Sequence, residues 1–143
     1  MAGTPALQGA AITAIPEAGI NNMNSKDLAA IGQHSLLDLY GIKADLACNT
    51  EKIEVILRHA AKIANATVLQ SHFHSFGLHQ GVTGVLLLSE SHMSIHTWPE
   101  YQFAAIDIFM CGEHQIEAAL SYLQEAFQPA QANITTKFRG NKP

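Results

Sequence analysis

Apolar and polar positions change period several times along the chain, and each change marks an element. Ile53, Ile56, Leu57, Ala60, Ile63 and Ala64 recur at helical spacing and form one apolar stripe. Asn49 or Thr50 is suited to cap this helix, Glu51 and Glu54 complement the dipole of its first turn, and Asn65 ends it. A second stripe of Ile116, Ala119, Leu120, Leu123, Ala126 and Phe127 predicts a helix that starts near Glu113 and is stopped by Pro129. Strand-like segments run from His34 to Tyr40, Thr67 to Phe76, Val82 to Glu90 and Phe103 to Met110, with a last edge strand from Asn133 to Phe138. In the second of these, His72 and His74 share one face and Phe73 takes the other. The third is so rich in aliphatic residues that burial on both faces is expected. Residues 41 to 48 and 77 to 81 connect elements. The order, abbreviated β-α-β-β-α-β, predicts an α+β fold: a two-layer sandwich of an antiparallel sheet with two helices on one face.

Residues 1–31 break this pattern. They are rich in Ala, Gly, Asn and Pro, lack periodicity, and read as an N-terminal arm with a short helical turn near Ser25 to Ile31. Residues 32–143 then form one domain, a size suited to a single core. Composition supports a folded globular protein, with 48% hydrophobic and 14% charged residues. The net charge of -4 comes without any basic run, which argues against nucleic acid as a partner. No segment reaches the roughly 18 to 20 apolar residues of a membrane helix. No Lys or Arg precedes Lys26, and Pro5 and Pro16 interrupt the weak apolar run, so no secretory signal is read and a cytoplasmic location is expected. Cys48 and Cys111 then read as two buried thiols in a reducing compartment.

The chemistry concentrates between Ser89 and Cys111, where serines, histidines, glutamates, a tryptophan, an aspartate and a cysteine separate two apolar segments. The period of two places Thr83 and Ser91 on one face but Ser91 and His96 on opposite faces. If Ser91 and His96 serve one site, Glu90-Ser91 must be a turning or strained position. His72, His74, His79, His92 and His96 suggest a metal, but no carboxylate or cysteine completes a familiar ligand set, and none is expected.

Gly81-Val82-Thr83-Gly84-Val85, Glu90-Ser91-His92, Ile95-His96-Thr97-Trp98-Pro99-Glu100-Tyr101, Ala104-Ala105-Ile106-Asp107 and Cys111-Gly112 follow one another at a specific spacing. Together they resemble the small prokaryotic S-adenosylmethionine decarboxylases that use a pyruvoyl group, over roughly residues 32 to 127. The resemblance implies autocatalytic cleavage between Glu90 and Ser91 into a β chain, residues 1–90, and an α chain, residues 91–143. Ser91 becomes the pyruvoyl group, so neither metal nor pyridoxal phosphate is implied. It makes Thr83, where the family usually has serine, an assistant in processing. His96 becomes the base for ester elimination, and Cys111 the acid that reprotonates the decarboxylated carbon. Phe76 would stack on adenine, Glu100 would hold the ribose hydroxyls, and Trp98 and Pro99 would shape packing and turn. The implied substrate is S-adenosylmethionine, which would form a Schiff base with the pyruvoyl ketone. The product would be S-adenosylmethioninamine, the aminopropyl donor of spermidine and polyamine biosynthesis, and the assembly a homodimer of processed protomers. Gln33 stands where an arginine is common, and one extra residue lies between Phe76 and Gly81. Because some relatives act on L-ornithine or L-arginine, that substrate choice stays open, as do activation by putrescine and an unprocessed, non-catalytic homologue.

Overall fold

The structure is a computed structural model and describes residues 30–142. The expected arm and its helical turn lie outside the described residues, apart from Ala30 and Ile31. Six strands form one antiparallel sheet in the order β2-β3-β4-β5-β1-β6. They are β1 (Gly32–Tyr40), β2 (Val68–Ser75), β3 (Val82–Leu88), β4 (Ser91–Trp98), β5 (Phe103–Cys111) and β6 (Gln131–Arg139). The helices are α1 (Ala44–Ala47), α2 (Thr50–Ile63) and α3 (Ile116–Phe127). The α+β class holds, and β6 is at an edge as its sequence predicts. The sheet nevertheless has more strands than the β-α-β-β-α-β order contained.

The strand that none of the five sequence-predicted segments covers is β4, which runs through the polar stretch. Its inward positions Met93, Ile95 and Thr97 are buried, while His92, Ser94 and His96 alternate onto the other face. A threonine among the inward residues blurs the apolar alternation, but its hydroxyl is fully used. Thr97 Oγ1 accepts from the Val82 N–H at 2.8 Å and donates to the Ala47 carbonyl at 2.6 Å. These bonds tie β3 and β4 to α1, a helix where the sequence predicts only a connection. α3 begins at Ile116, later than Glu113.

Asn49 caps α2, its side chain accepting from the Lys52 N–H at 3.0 Å. The α2 stripe, with Ile53, Leu57 and Ala60, packs with Leu120, Leu123 and Phe127 of α3 onto the inner sheet face. That face presents Leu37, Leu39, Met93, Ile95, Ile106 and Ile108, all at most 2% exposed. Among the described residues, helices cover this side only. β3 corrects the expectation of two-sided burial: Val82, Leu86 and Leu88 are buried, but Val85 and Leu87 are 40% and 48% exposed on the open face. The glycine in β3 has a local cause. A Cβ on Gly84 would stand 2.2 Å from the Phe73 ring, which lies across it from β2.

Among the described residues, no helix is long and apolar enough to cross a membrane. Both cysteines are free; Cys48 is half-buried, and Cys111 is exposed where the sequence reads a buried thiol.

Candidate active site

Side chains with chemical potential gather at the two ends of β4, on or beside the open face of the sheet. At one end, Ser89 and Glu90 make the tight connection from β3 to β4, with Leu88 opposite Ser91. Ser91 has φ 147, a conformation costing a non-glycine residue of order 1–3 kcal/mol. The expectation of a turning, strained position is therefore met. The scissile bond of the sequence reading is fastened on both sides. The Glu90 carbonyl accepts from the Cys111 N–H at 3.1 Å, as β5 ends beside it. The Glu90 carboxylate accepts from the Thr67 N–H at 3.0 and 3.3 Å, and the Ser89 N–H donates to the Thr67 carbonyl at 3.0 Å. Ser91 Oγ lies 3.3 Å from His92 Nδ1. Cys111 follows Met110, the β5 partner of Ser91, and so belongs to this end.

At the other end is a cleft of about 290 Å³, lined by Phe76, Gln80, Gly81, Thr83, His96, Thr97, Trp98 and Glu100. Thr83 Oγ1 is 3.2 Å from His96 Nδ1, so the extra methyl of threonine does not prevent this contact. The ring of His74 meets Phe76 edge-on, with centroids 4.8 Å apart, while Trp98 stacks on Phe103 at 5.4 Å. Glu100 is exposed on the short 3-10 turn Pro99–Tyr101. Gly81 lets this wall close up, because a Cβ there would stand 2.1 Å from the Thr97 carbonyl oxygen. Between the two ends, Asp107 is bonded to His34 at 3.3 Å and to Ser94 at 3.2 Å.

The structure thus brings together Glu90, Ser91 and Cys111, and separately Phe76, Thr83, His96 and Glu100. It does not bring the two sets together within one chain. At ~3.3 Å rise per residue, Ser91 and His96 stand about 16 Å apart along β4. Trp98, read from sequence as packing, lines the cleft; its place became legible only when β4 was seen to carry every second side chain onto the open face. The contacts of Thr67 and His92 were not legible in the sequence: Thr67 meets Glu90 from a neighbouring strand end, and His92 reaches the hydroxyl of Ser91, which regular strand alternation would place on the opposite face. Among the described residues, no group of three or more His, Cys, Asp or Glu side chains is placed to hold a metal ion.

Fold and site define a two-layer α+β protein with an amide-held Glu-Ser turn at one end of its sheet and an aromatic, histidine-containing cleft at the other. The family model for S-adenosylmethionine decarboxylase matches residues 33–140, and the chain belongs to that family. An S-adenosylmethionine decarboxylase proenzyme from Sulfurihydrogenibium is 42% identical over 114 residues, 79% of this chain and 85% of the relative. The Aquifex aeolicus proenzyme is 41% identical over 111 residues, 77% and 82% of the two chains. A crystal structure of the adenosylmethionine decarboxylase from Aquifex aeolicus superposes with a TM-score of 0.73 at 40% identity, covering 80% of this chain and 94% of that one.

Proposed function

We propose that the chain is the proenzyme of a pyruvoyl-dependent carboxy-lyase that converts S-adenosylmethionine to S-adenosylmethioninamine, the aminopropyl donor for spermidine, in the cytoplasm. The observation that carries this reading is the Glu90-Ser91 turn. A strained serine follows a carbonyl whose oxygen is already held by the Cys111 amide at 3.1 Å. An N–H aimed at that oxygen can stabilise the negative charge that develops when the carbonyl is attacked.

The self-cleavage chemistry balances as follows. Ser91 Oγ bonds to the Glu90 carbonyl carbon, the carbon–nitrogen bond breaks, and the hydroxyl proton reaches the released amine. His96 then removes the Cα proton of Ser91, and the Cβ–O bond breaks to leave a Glu90 carboxylate and dehydroalanine. That residue tautomerises to an imine, and water hydrolyses it to the pyruvoyl group and ammonia. Once formed, this group supplies an electron sink for the carbon that loses carbon dioxide. Ser91 and its surroundings fit such a group: the residue heads β4 beside the Cys111 backbone, and Cys111 itself is exposed. The Cys111 thiol is the proton donor to the decarboxylated carbon. The relatives' identity as S-adenosylmethionine decarboxylase proenzymes favours S-adenosylmethionine over L-ornithine or L-arginine. Phe76, Trp98 and Glu100 around one cleft suit an adenine and a ribose.

Separation of the two sets supports a homodimer. The open face carries Leu36, Tyr40, Val85, Leu87 and Trp98, each 38–48% exposed. A twofold axis lying between two such faces and across the strands would set the Ser91 end of one protomer over the His96 end of its partner. Each site would then join Glu90, Ser91 and Cys111 to the cleft of the other chain.

Intact-mass measurement on purified protein tests the cleavage. Expected are fragments of residues 1–90 and 91–143, the second blocked to N-terminal sequencing, with Ser91→Ala left intact. An uncut wild-type chain after long incubation at neutral pH would refute the reading. Labelled carbon dioxide should be released rapidly from S-adenosylmethionine and poorly from ornithine or arginine.

A further inference from the structure

We propose that His92 is the base that starts self-cleavage, a catalytic role distinct from that of His96. The inference rests on the self-cleavage reading and adds the group that activates the attacking hydroxyl, for which that reading names no residue.

Neighbouring residues in a regular strand point to opposite faces of the sheet. By register, Ser91 pairs with Leu88 and Met110, both buried on the helix side, whereas His92 pairs with Leu87 and Phe109 on the open side. The Ser91 hydroxyl nevertheless lies 3.3 Å from the His92 ring nitrogen. The backbone at Ser91, with φ 147, departs from regular extended geometry where this contact forms. The strained φ torsion lies at the nitrogen of the bond to be cleaved, so breaking that carbon–nitrogen bond releases the constraint.

The imidazole is placed as well as the hydroxyl. The ring of His34 stands edge-on to His92 with centroids 6.3 Å apart, and the ring of Phe109 lies at 5.9 Å from it. His34 is itself bonded to Asp107 at 3.3 Å. Two rings on adjoining strands therefore wall the His92 imidazole at the head of β4. His96 cannot serve Ser91 of the same chain, because it stands at the far end of the strand and is bonded to Thr83.

With its proton on Nε2, the His92 ring presents Nδ1 as an acceptor to the Ser91 hydroxyl. Nδ1 takes the Oγ proton as Oγ bonds to the Glu90 carbonyl carbon. The Cys111 N–H holds the oxyanion. The imidazolium then returns the proton to the Ser91 nitrogen as the carbon–nitrogen bond breaks. No net proton or electron is gained, and no co-reactant is required. Two histidines divide maturation: His92 makes the ester within its own chain, and the His96 that the other protomer of the proposed dimer brings over Ser91 eliminates it.

The test follows freshly synthesised full-length chain over time, with ester trapped by hydroxylamine and fragments counted by mass. The His96→Ala background stops at the ester, which isolates the first step. Adding His92→Asn or His92→Ala should slow ester formation at least about hundredfold, the ordinary contribution of a positioned base. Asparagine can accept a hydrogen bond but cannot take the proton, so it should do no better than alanine. Added imidazole should restore part of the rate to the His92→Ala chain and none to Ser91→Ala. Ester formation at the undiminished rate in either His92 variant would overturn the proposal. So would a loss that imidazole does not restore, which would assign His92 to packing. A wild-type chain that never cleaves would instead remove the self-cleavage reading, and the role of His92 with it.

Discussion

Thr97 shows how one side chain can join the core to the site. Its buried hydroxyl satisfies both the Val82 N–H and the Ala47 carbonyl. Thr97→Val keeps the shape but leaves both groups unpaired, which should cost about 1–3 kcal/mol, read from denaturant unfolding. The residues of the proposed mechanism should separate by stage. Cys111→Ala retains the backbone N–H that holds the Glu90 carbonyl, so cleavage should proceed while carbon dioxide release falls sharply or is misdirected. His96→Ala should accumulate an ester that hydroxylamine cuts. At the cleft, Glu100→Gln should lower kcat/KM for S-adenosylmethionine about tenfold, the loss of one hydrogen bond to a charged group, while self-cleavage continues.

Connections between elements hold the Glu90-Ser91 turn and the sheet edge. The turn between β3 and β4 is fastened to the start of β2 through Thr67, with the Glu90 carboxylate as one of the clasps. Glu90→Ala should slow self-cleavage several-fold, and Glu90→Gln, which keeps an acceptor oxygen, should recover most of the rate; time-resolved mass measurement would show both. β2 is in turn pinned to α2. The Ser71 hydroxyl donates to Glu54 at 2.8 Å, and Arg58 of α2 bonds to both Glu54 and Ser71. These partners, Ser71 first and then Arg58, hold the Glu54 carboxyl below the usual carboxylate range. A lowered folded-state value means that the contribution is full above the unfolded value and is lost as pH falls through the folded one. The cluster is partly exposed and screened, so Ser71→Ala should cost only about 0.5 kcal/mol at neutral pH. The difference from wild type should vanish under acid conditions that protonate Glu54, as measured by denaturant midpoints at the two pH values.

The whole molecule poses the question of completeness, since the described chain holds its serine and its second histidine at opposite ends of one strand. If sites are shared across a twofold axis, two inactive variants should repair one another. Co-expressed Ser91→Ala and His96→Ala chains should form mixed dimers in which the intact His96 of one faces the Ser91 of the other. The His96→Ala chain should then mature to fragments with a blocked N-terminus, although alone it stops at the ester. The Ser91→Ala chain should stay whole. Failure of this complementation in demonstrably mixed dimers would place each site within one chain.

Periodicity and spacing along the chain were enough for most of the local elements and for the inventory of candidate residues. The helical stripes from Ile53 to Ala64 and from Ile116 to Phe127 depend on periodicity, which neighbouring residues express without knowledge of the fold. The turn at Glu90-Ser91 followed from strand alternation, and the spacing of Ser91, His96 and Cys111 carried the family resemblance. Tertiary structure decided what no local pattern contains. β4 was obscured because Thr97 occupies an inward position, and only the distant Val82 and Ala47 satisfy its hydroxyl. β3 read as buried on both faces because aliphatic content does not reveal that the helices cover one side. The hold on Glu90 comes from Thr67 and Cys111, which are remote in sequence and adjacent only in the sheet. The same sheet separates Ser91 from His96, since an extended strand keeps residues apart that a short motif places side by side on the page.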